Sequence, residues 1–541
     1  MHPPGGGSTA HVDTYVRDLL PPRESWPVFD YSAPHLRHLP DRLNAARLLD
    51  SAAGVGAKPV FHFEDATWTY DQLKDKVERI ARVLVEDFGL VPGNAVLLRA
   101  PNSPMTAACW LAILKVGGIC VATMPLLRAH EMSFILDKAR IRFALCEAGL
   151  AKEMELARAI APTLQRVGYF SPLGDGDADF DAKVASAAPL TATVDTAADD
   201  VALITFTSGT TGNPKGAAHF HRDIYAIGEC WPQIYTLQPD EIVVGSPSFA
   251  FTYGIAAFLI YPIRYKCTSV LVPKPTPETI LSAVQRWRCT SLYAVPTMFQ
   301  AMLPKLAEYD VSSLRKASSA GENLRLKLWE DWLAETGIRI VNGLGASELL
   351  SHFVCESEAV ERPGSMGRAA PGYTVVCLDD EGNPLPPGNR GRLASRGPTG
   401  CRYIGDEERQ RKQVQGGWNL SGDVVEQDKD GWFWYVDRAD DMIISSGYNI
   451  SAQEVERCVL EHPKVSECAV VGVPDDERGN IVRACVVLVD GMDADEETAR
   501  EIQDFVKNNI APYKYPRDIR FLDELPKTAT GKLQRFRLRQ I

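Results

Sequence analysis

Signals for cysteine pairing are missing from this chain. Its twelve cysteines are scattered, the closest two being Cys458 and Cys468, and no Cys-x-x-Cys occurs. That excludes a disulfide scaffold and a structural zinc site, and it points to the reduced thiols of a cytoplasmic protein. A basic excess is also missing. Against 58 Lys and Arg stand 70 Asp and Glu, a net charge of −12 with no basic run, which argues against a nucleic-acid partner. The opening "MHPPGGGSTAHVDTY" has no apolar core of the kind that drives secretion. The uncharged stretch from Ile242 to Ile263 is broken by Gly245, Ser246, Pro247 and Ser248. It leaves about a dozen apolar residues, which suits a buried core segment rather than a membrane span. No repeat of solenoid length is visible, and no P-loop is present.

What remains is a large globular enzyme-sized chain. Its 541 residues exceed what one core supports, so two or more domains are expected, and 45% hydrophobic content is ample to fill them. Leu73, Val77, Ile80, Leu84 and Phe88 share one face of a helix over 71–88, with Gly89 as its stop. Strand-like runs such as "NAVLLRA" and "RFALCEA" alternate with helical patterns, the mark of a layered α/β fold. The best domain boundary lies at 438–441, in "VDRADDMIISSGYNI", dividing the chain into 1–438 and 439–541. The second part reads as an α+β unit of about a hundred residues. Ser451 and Glu454 form a capping-box pattern there, "RACVVLVD" reads as a strand, and Ile502, Phe505, Val506 and Ile510 mark a second amphipathic helix. The chain closes with "PKTATGKLQRFRLRQI", and no further domain, such as a fused carrier, is expected.

The chemistry is concentrated in "TSGTTGNPKG", Thr207 to Gly216, fed by the β-rich run "VALITFT". Glycines at 209, 212 and 216 allow close backbone approach and positive φ. Successive N–H groups in such a turn make an anion nest. Ser208, Thr210 and Thr211 add neutral donors, and Lys215 adds the only cation. A polyphosphate suits that set. The P-loop pattern fails here, because Lys215 is followed by Gly216 and preceded by Pro214. It fails again at "TATGK", where Leu533 follows Lys532.

The segment "TFTSGTTGNPKG" resembles the signature of the acyl-adenylate-forming enzymes: acyl- and aryl-CoA synthetases, peptide-synthetase adenylation domains and beetle luciferases. Further segments match in order: "SAGENL" at 319–324, "NGLGASE" at 342–348, "SGD" at 421–423, "DRADD" at 437–441, "SSGYNI" at 445–450 and "PKTATGK" at 526–532. The resemblance spans the chain beyond its first few dozen residues. It implies a large N-terminal domain of layered sheets and helices and a small mobile C-terminal domain. It also implies ATP, Mg²⁺ and coenzyme A as co-substrates, with no tightly bound prosthetic group. By resemblance, Thr207, Ser208, Gly209, Thr210, Thr211, Gly212 and Lys215 hold the phosphates. Gly321 and Glu322 lie along the adenine, and the stretch Asn342, Gly343, Gly345, Ala346 and Ser347 borders it. Asp423 takes the ribose hydroxyls and Arg438 makes the second ribose and phosphate contact. Glu348 ligates Mg²⁺, a hard cation that suits an oxygen ligand. Lys532 is the catalytic lysine of adenylation. Asp440 is the hinge that replaces it with Ser446, Gly447 and Tyr448, where the pantetheine thiol enters.

The acid pocket is expected from Phe249, Thr252, Tyr253, Gly254, Ala320, Leu344, Gly345, Ser351 and His352, a set whose aromatic and small residues suit a flat ring. The wording is most similar to benzoate-type aryl-CoA ligases, in which the residues after the Mg²⁺ glutamate tend to be Met-Leu-His-Ile-Phe. Here they are Leu349, Leu350, Ser351, His352 and Phe353. The added hydroxyl and shifted imidazole suit a polar ring substituent. The stretch "HVDTYVRDLLPPRESWPVF" is similar to ligases for 2-aminobenzoate (anthranilate), which is the acid expected. Benzoate itself, an adenylation enzyme that loads a carrier protein, and an inactive nucleotide-binding regulator stay as alternatives. Monomer and homodimer are both open.

Overall fold

The computed structural model describes residues 8–207, 214–359, 362–438, 442–526 and 533–541. Among them, two large sheets are built on alternation. In the strand Ala95–Arg99, Ala95 and Leu97 enter one buried cluster, while Val96 and Leu98 enter another. This sheet runs Arg166–Phe170, Phe143–Glu147, Ala95–Arg99, Ile119–Thr123, Val201–Thr207, Lys215–Phe220, parallel except for the last pair. The second large sheet has nine strands and a parallel centre: Ile340–Gly345, Lys316–Ser319, Ser291–Ala294, Ile242–Gly245, Thr268–Val270 and Pro59–Phe63. Its faces are also divided, Val243, Tyr293 and Val341 on one side and Val244, Leu292 and Ile340 on the other.

The inner faces of both sheets share one core with the helices Tyr70–Glu86 and Pro104–Lys115. All twelve residues of Pro104–Lys115 are buried, as expected of a helix with apolar surface all round. Tyr70–Glu86 follows the expected 71–88 span. Thr69 closes a full capping box with Gln72, and Gly89 (φ +71°) ends the turn beyond it. The outer faces are covered by Ala129–Lys138 and Ala151–Ile160 on one sheet, and by Pro277–Trp287 and Leu326–Thr336 on the other. The stretch Ile242 to Ile263 divides into the strand Ile242–Gly245 and a helical segment, Thr252–Ile255, Ala256–Ile260 and Tyr261–Tyr265. Its middle part is a π-helix, a form common at functional sites. A third sheet follows, with Trp418–Gln427 paired to Phe433–Arg438. No helix among the described residues is long and apolar enough to cross a membrane.

The small C-terminal domain has its own sheet, Val465–Asp475, Gly479–Leu488 and Asp518–Phe521, and a hairpin, Met442–Ser445 with Tyr448–Ser451. Helices Ala452–Leu460 and Glu496–Asn509 pack on one face of that sheet. Leu525, Leu533 and Leu538 pack on the other. The expected capping box at Ser451 forms on one side: Ser451 Oγ accepts the Glu454 N–H, while the Glu454 carboxylate turns to Lys514. Residues 439–441, which hold the expected boundary and Asp440, lie outside the described residues.

Close sheet pairing leaves no room at Gly245. A Cβ there would stand 1.7 Å from the Tyr293 carbonyl oxygen, which also accepts the Ser246 N–H. Gly245→Ala is expected to lower stability by about 1–3 kcal/mol, read from urea unfolding.

Candidate active site

The parallel strands of both sheets end at one edge, and the residues just past those ends line a single cavity of about 2370 Å³. Thr207 ends one strand; Ser246 to Ser248, Val295 to Met298 and Ala320 to Asn323 follow three others; Asn342 to Ser347 leave the last. Ligands of open α/β sheets bind in this position, outside the carboxyl ends of the strands.

At the mouth, Lys215 Nζ lies 2.8 Å from Glu348 Oε1, and the Tyr403 hydroxyl donates to the same oxygen at 2.5 Å. The ammonium also sits over the Tyr403 ring, 5.1 Å from its centre. Burial pushes the Glu348 carboxyl up, but the Lys215 charge and both hydrogen bonds outweigh it and hold the pKa at about 2. The carboxylate is therefore ionised at neutral pH. Residues 208–213, which include Ser208, Gly209, Thr210, Thr211 and Gly212, lie outside the described residues. Their flanks, Thr207 and Lys215, are register partners across the hairpin and both line the cavity.

Asp423 is buried, lines the cavity and stands opposite Arg438 in the strand register. The side chain of Arg438 lies outside the described residues, as does Lys532. Gly321, at φ +91°, turns the chain so that Glu322 faces the tail domain. Glu322 accepts the Thr297 N–H at 3.1 Å and, through its other oxygen, the Gly447 N–H. Burial keeps this carboxyl above its usual pKa despite both donors. Ser446, Gly447 and Tyr448 all line the cavity, at the tip of the tail hairpin. Gly447 has φ +80°, and a Cβ there would meet Val295 at 2.9 Å. Tyr448 stacks on Tyr513 at 4.3 Å and reaches Phe251 at 6.1 Å.

Thr252, Tyr253, Ala320, Leu344, Gly345, Ser351 and His352 line the cavity. Phe249 and Gly254 do not. Phe249 is packed into the inter-sheet core, and Gly254 is there because a Cβ would stand 2.1 Å from the Ser248 carbonyl oxygen. Ser351 is already paired: its Oγ is 2.7 Å from the hydroxyl of Tyr261, a cavity residue that sequence reasoning missed inside an apolar run. His352 is different. It is 5% exposed, and neither ring nitrogen has a hydrogen-bond partner among the described residues. Trp231 stacks on it at 4.7 Å and Tyr253 meets it edge-on at 5.5 Å. Burial lowers its pKa to about 4, so at pH 7 the ring is neutral, with one donor and one acceptor. Tyr403 was also missed, since nothing around it marks it as a partner of Glu348.

A two-domain α/β enzyme with an anionic and cationic mouth, an aromatic depth and a tail hairpin at the rim is the class this geometry defines. Residues 48–402 match the AMP-binding enzyme family, and residues 454–532 match the AMP-binding enzyme C-terminal domain. Benzoate–CoA ligase of Thauera aromatica is 32% identical, over 95% of this chain and 99% of its own. The crystal structure of an anthranilate CoA ligase in complex with anthranoyl-AMP is similar at TM-score 0.72 and 32% identity, covering 93% of this chain and 98% of that one. A double mutant of o-succinylbenzoate CoA synthetase from Bacillus subtilis, bound with its product analogue OSB-NCoA, reaches TM-score 0.81 at 26% identity, over 92% and 98%. The chain belongs to the AMP-binding enzymes of the adenylate-forming superfamily.

The Lys215–Glu348 pair gives a pH signature. A carboxyl held at about 2, below its ordinary 4.5, stabilises the folded state above pH 4.5 and loses that contribution as pH falls toward 2. Lys215→Met should therefore be less stable than wild type at pH 7, with the gap narrowing below pH 4.5. Urea unfolding at both pH values reads this; a gap independent of pH counts against the pair.

Proposed function

We propose that the protein joins 2-aminobenzoate to coenzyme A through an aryl-AMP intermediate. The observation that carries the acid's identity is His352, a buried neutral imidazole with two unanswered nitrogens on the cavity wall. A buried polar group without a partner is costly, so a ligand group that answers it is favoured. An arylamine donates to the acceptor nitrogen, whereas unsubstituted benzoate leaves it stranded. The anthranoyl-AMP bound by the similar ligase supports the same acid.

In the first step, a carboxylate oxygen of the acid attacks the α-phosphorus of ATP, and pyrophosphate leaves. Lys215 and the 207–212 turn hold the phosphates, and Asp423 with Arg438 holds the ribose. Glu348 fits a divalent cation carried on ATP: one ionised carboxylate suits Mg²⁺, which is bound by few protein ligands and completed by phosphate oxygens and water. The described residues hold no cluster of three or more ligating side chains, which also favours this mode over an all-protein cage. When bound, the cation supplies charge neutralisation at the phosphates. Lys532 stabilises the charge that builds between carboxylate and α-phosphate. In the second step, the thiol sulfur of coenzyme A attacks the carbonyl carbon, and the bond to AMP breaks. The tail domain turns about Asp440 between the two steps, with 1–438 and 439–541 as the moving parts. Gly447 at the cavity rim and the higher similarity to the structure bound with a product analogue favour the thioester-forming arrangement for the present orientation.

AMP release with ATP, coenzyme A and substituted benzoates tests the reading. The kcat/KM for 2-aminobenzoate should exceed that for benzoate about tenfold or more, and His352→Ile should reverse the preference. A wild type that favours benzoate ends the 2-aminobenzoate assignment. Lys532→Ala should slow adenylation about 10²–10³-fold while sparing thioester formation from added aryl-AMP.

A further inference from the structure

Away from the cavity, a buried ion cluster crosses between the two domains. Lys514 Nζ, in the tail, lies 2.6 Å from Glu454 Oε1, also in the tail, and 2.6 Å from Glu131 Oε1, in the large domain. The three side chains are 4%, 4% and 5% exposed. None lines the cavity. Burial alone would favour neutral Lys514, but Tyr513, Glu454 and Glu131 outweigh it and hold the ammonium charged. Glu131 is aimed in advance. It opens the helix Ala129–Lys138, where its second oxygen accepts the Arg128 N–H at 2.8 Å. Beside it, Arg128 donates to the Lys507 carbonyl of the tail at 2.9 Å while pairing with Glu153.

We propose that Glu131 is a positioning residue for thioester formation: with Lys514 and Glu454 it latches the tail in the orientation that presents Gly447 to the cavity. The Lys514–Glu454 pair rides on the tail and survives any rotation. Glu131 is the member left behind, so only one orientation contains all three. A buried ion pair contributes little to net stability, yet breaking it strands a charge, and the cluster therefore selects orientation more than it adds stability. The inference rests on the thioester-forming reading of this orientation.

The test compares full-length wild type with Glu131→Gln, which keeps an N3 oxygen for the helix cap and removes the charge. ATP–pyrophosphate exchange reports adenylation. Aryl-CoA formation from added aryl-AMP and coenzyme A reports the second step, with whichever aryl acid the wild type activates. The second step should fall about ten- to a hundredfold, with exchange unchanged or raised, because a released tail spends more time in the adenylating arrangement. Lys514→Met should show the same split, and the double variant should be no slower than the worse single one, as for residues acting as one unit. Equal loss in both steps, no loss in the second, or additive losses in the double variant overturns the latch. A wild type inert with every aryl acid sinks the aryl-CoA assignment, and the latch with it; a wild type active in both steps confines failure to the latch.

Discussion

Two sheets share one core, and that constraint organises everything else. Each sheet divides its side chains between an inner and an outer face, and the inner faces close on the same pair of helices. With both sheets held in this way, their parallel strands finish along one edge. The cleft is thus a by-product of strand direction. Several of the side chains that line it need no regular structure of their own; they occupy the short turns that begin where the strands stop. Glu348 and Glu322 belong to two such turns, and each is ionically or electrostatically tied to a residue far away in the chain.

Much of this could be read from the residues alone. Periodicity placed the helix at Tyr70–Glu86 and the tail helix at Glu496–Asn509, because apolar spacing is a local property. Of the motif segments, 320–323, 342–348, 421–423 and 446–449, with Thr207 and Lys215, line one cavity, and each of these stretches carries its own glycine, hydroxyl or charge as a local signature. What sequence reasoning could not supply was pairing across distance. Phe249 and Gly254 lie beside cavity residues in sequence, yet one is core and the other makes way for a carbonyl oxygen. Tyr261 and Tyr403 carry no motif, and their hydroxyls acquire meaning only when the fold brings Ser351 and Glu348 to them. Glu454 looked like half of a capping box; its carboxylate answers a lysine sixty residues on.

The inner cavity shows how specificity and stability pull against each other. A histidine flanked by Trp231 and Tyr253 is well packed but poorly satisfied. An apolar residue there would fill the same wall at lower cost in the free protein. Under the proposed function the bound acid supplies what the free state lacks, and discrimination then comes from the group left wanting rather than from shape.

The helix Pro104–Lys115 has a consequence for how the chain is made. It is buried on every side, and the core it belongs to is completed by strands far downstream, through Val243, Tyr293 and Val341. During synthesis the first sheet can assemble on one flank of that helix while the other still faces water. Until the later strands leave the ribosome, the nascent protein carries an unshielded greasy surface, the kind that chaperones hold and that drives misassembly when translation stalls.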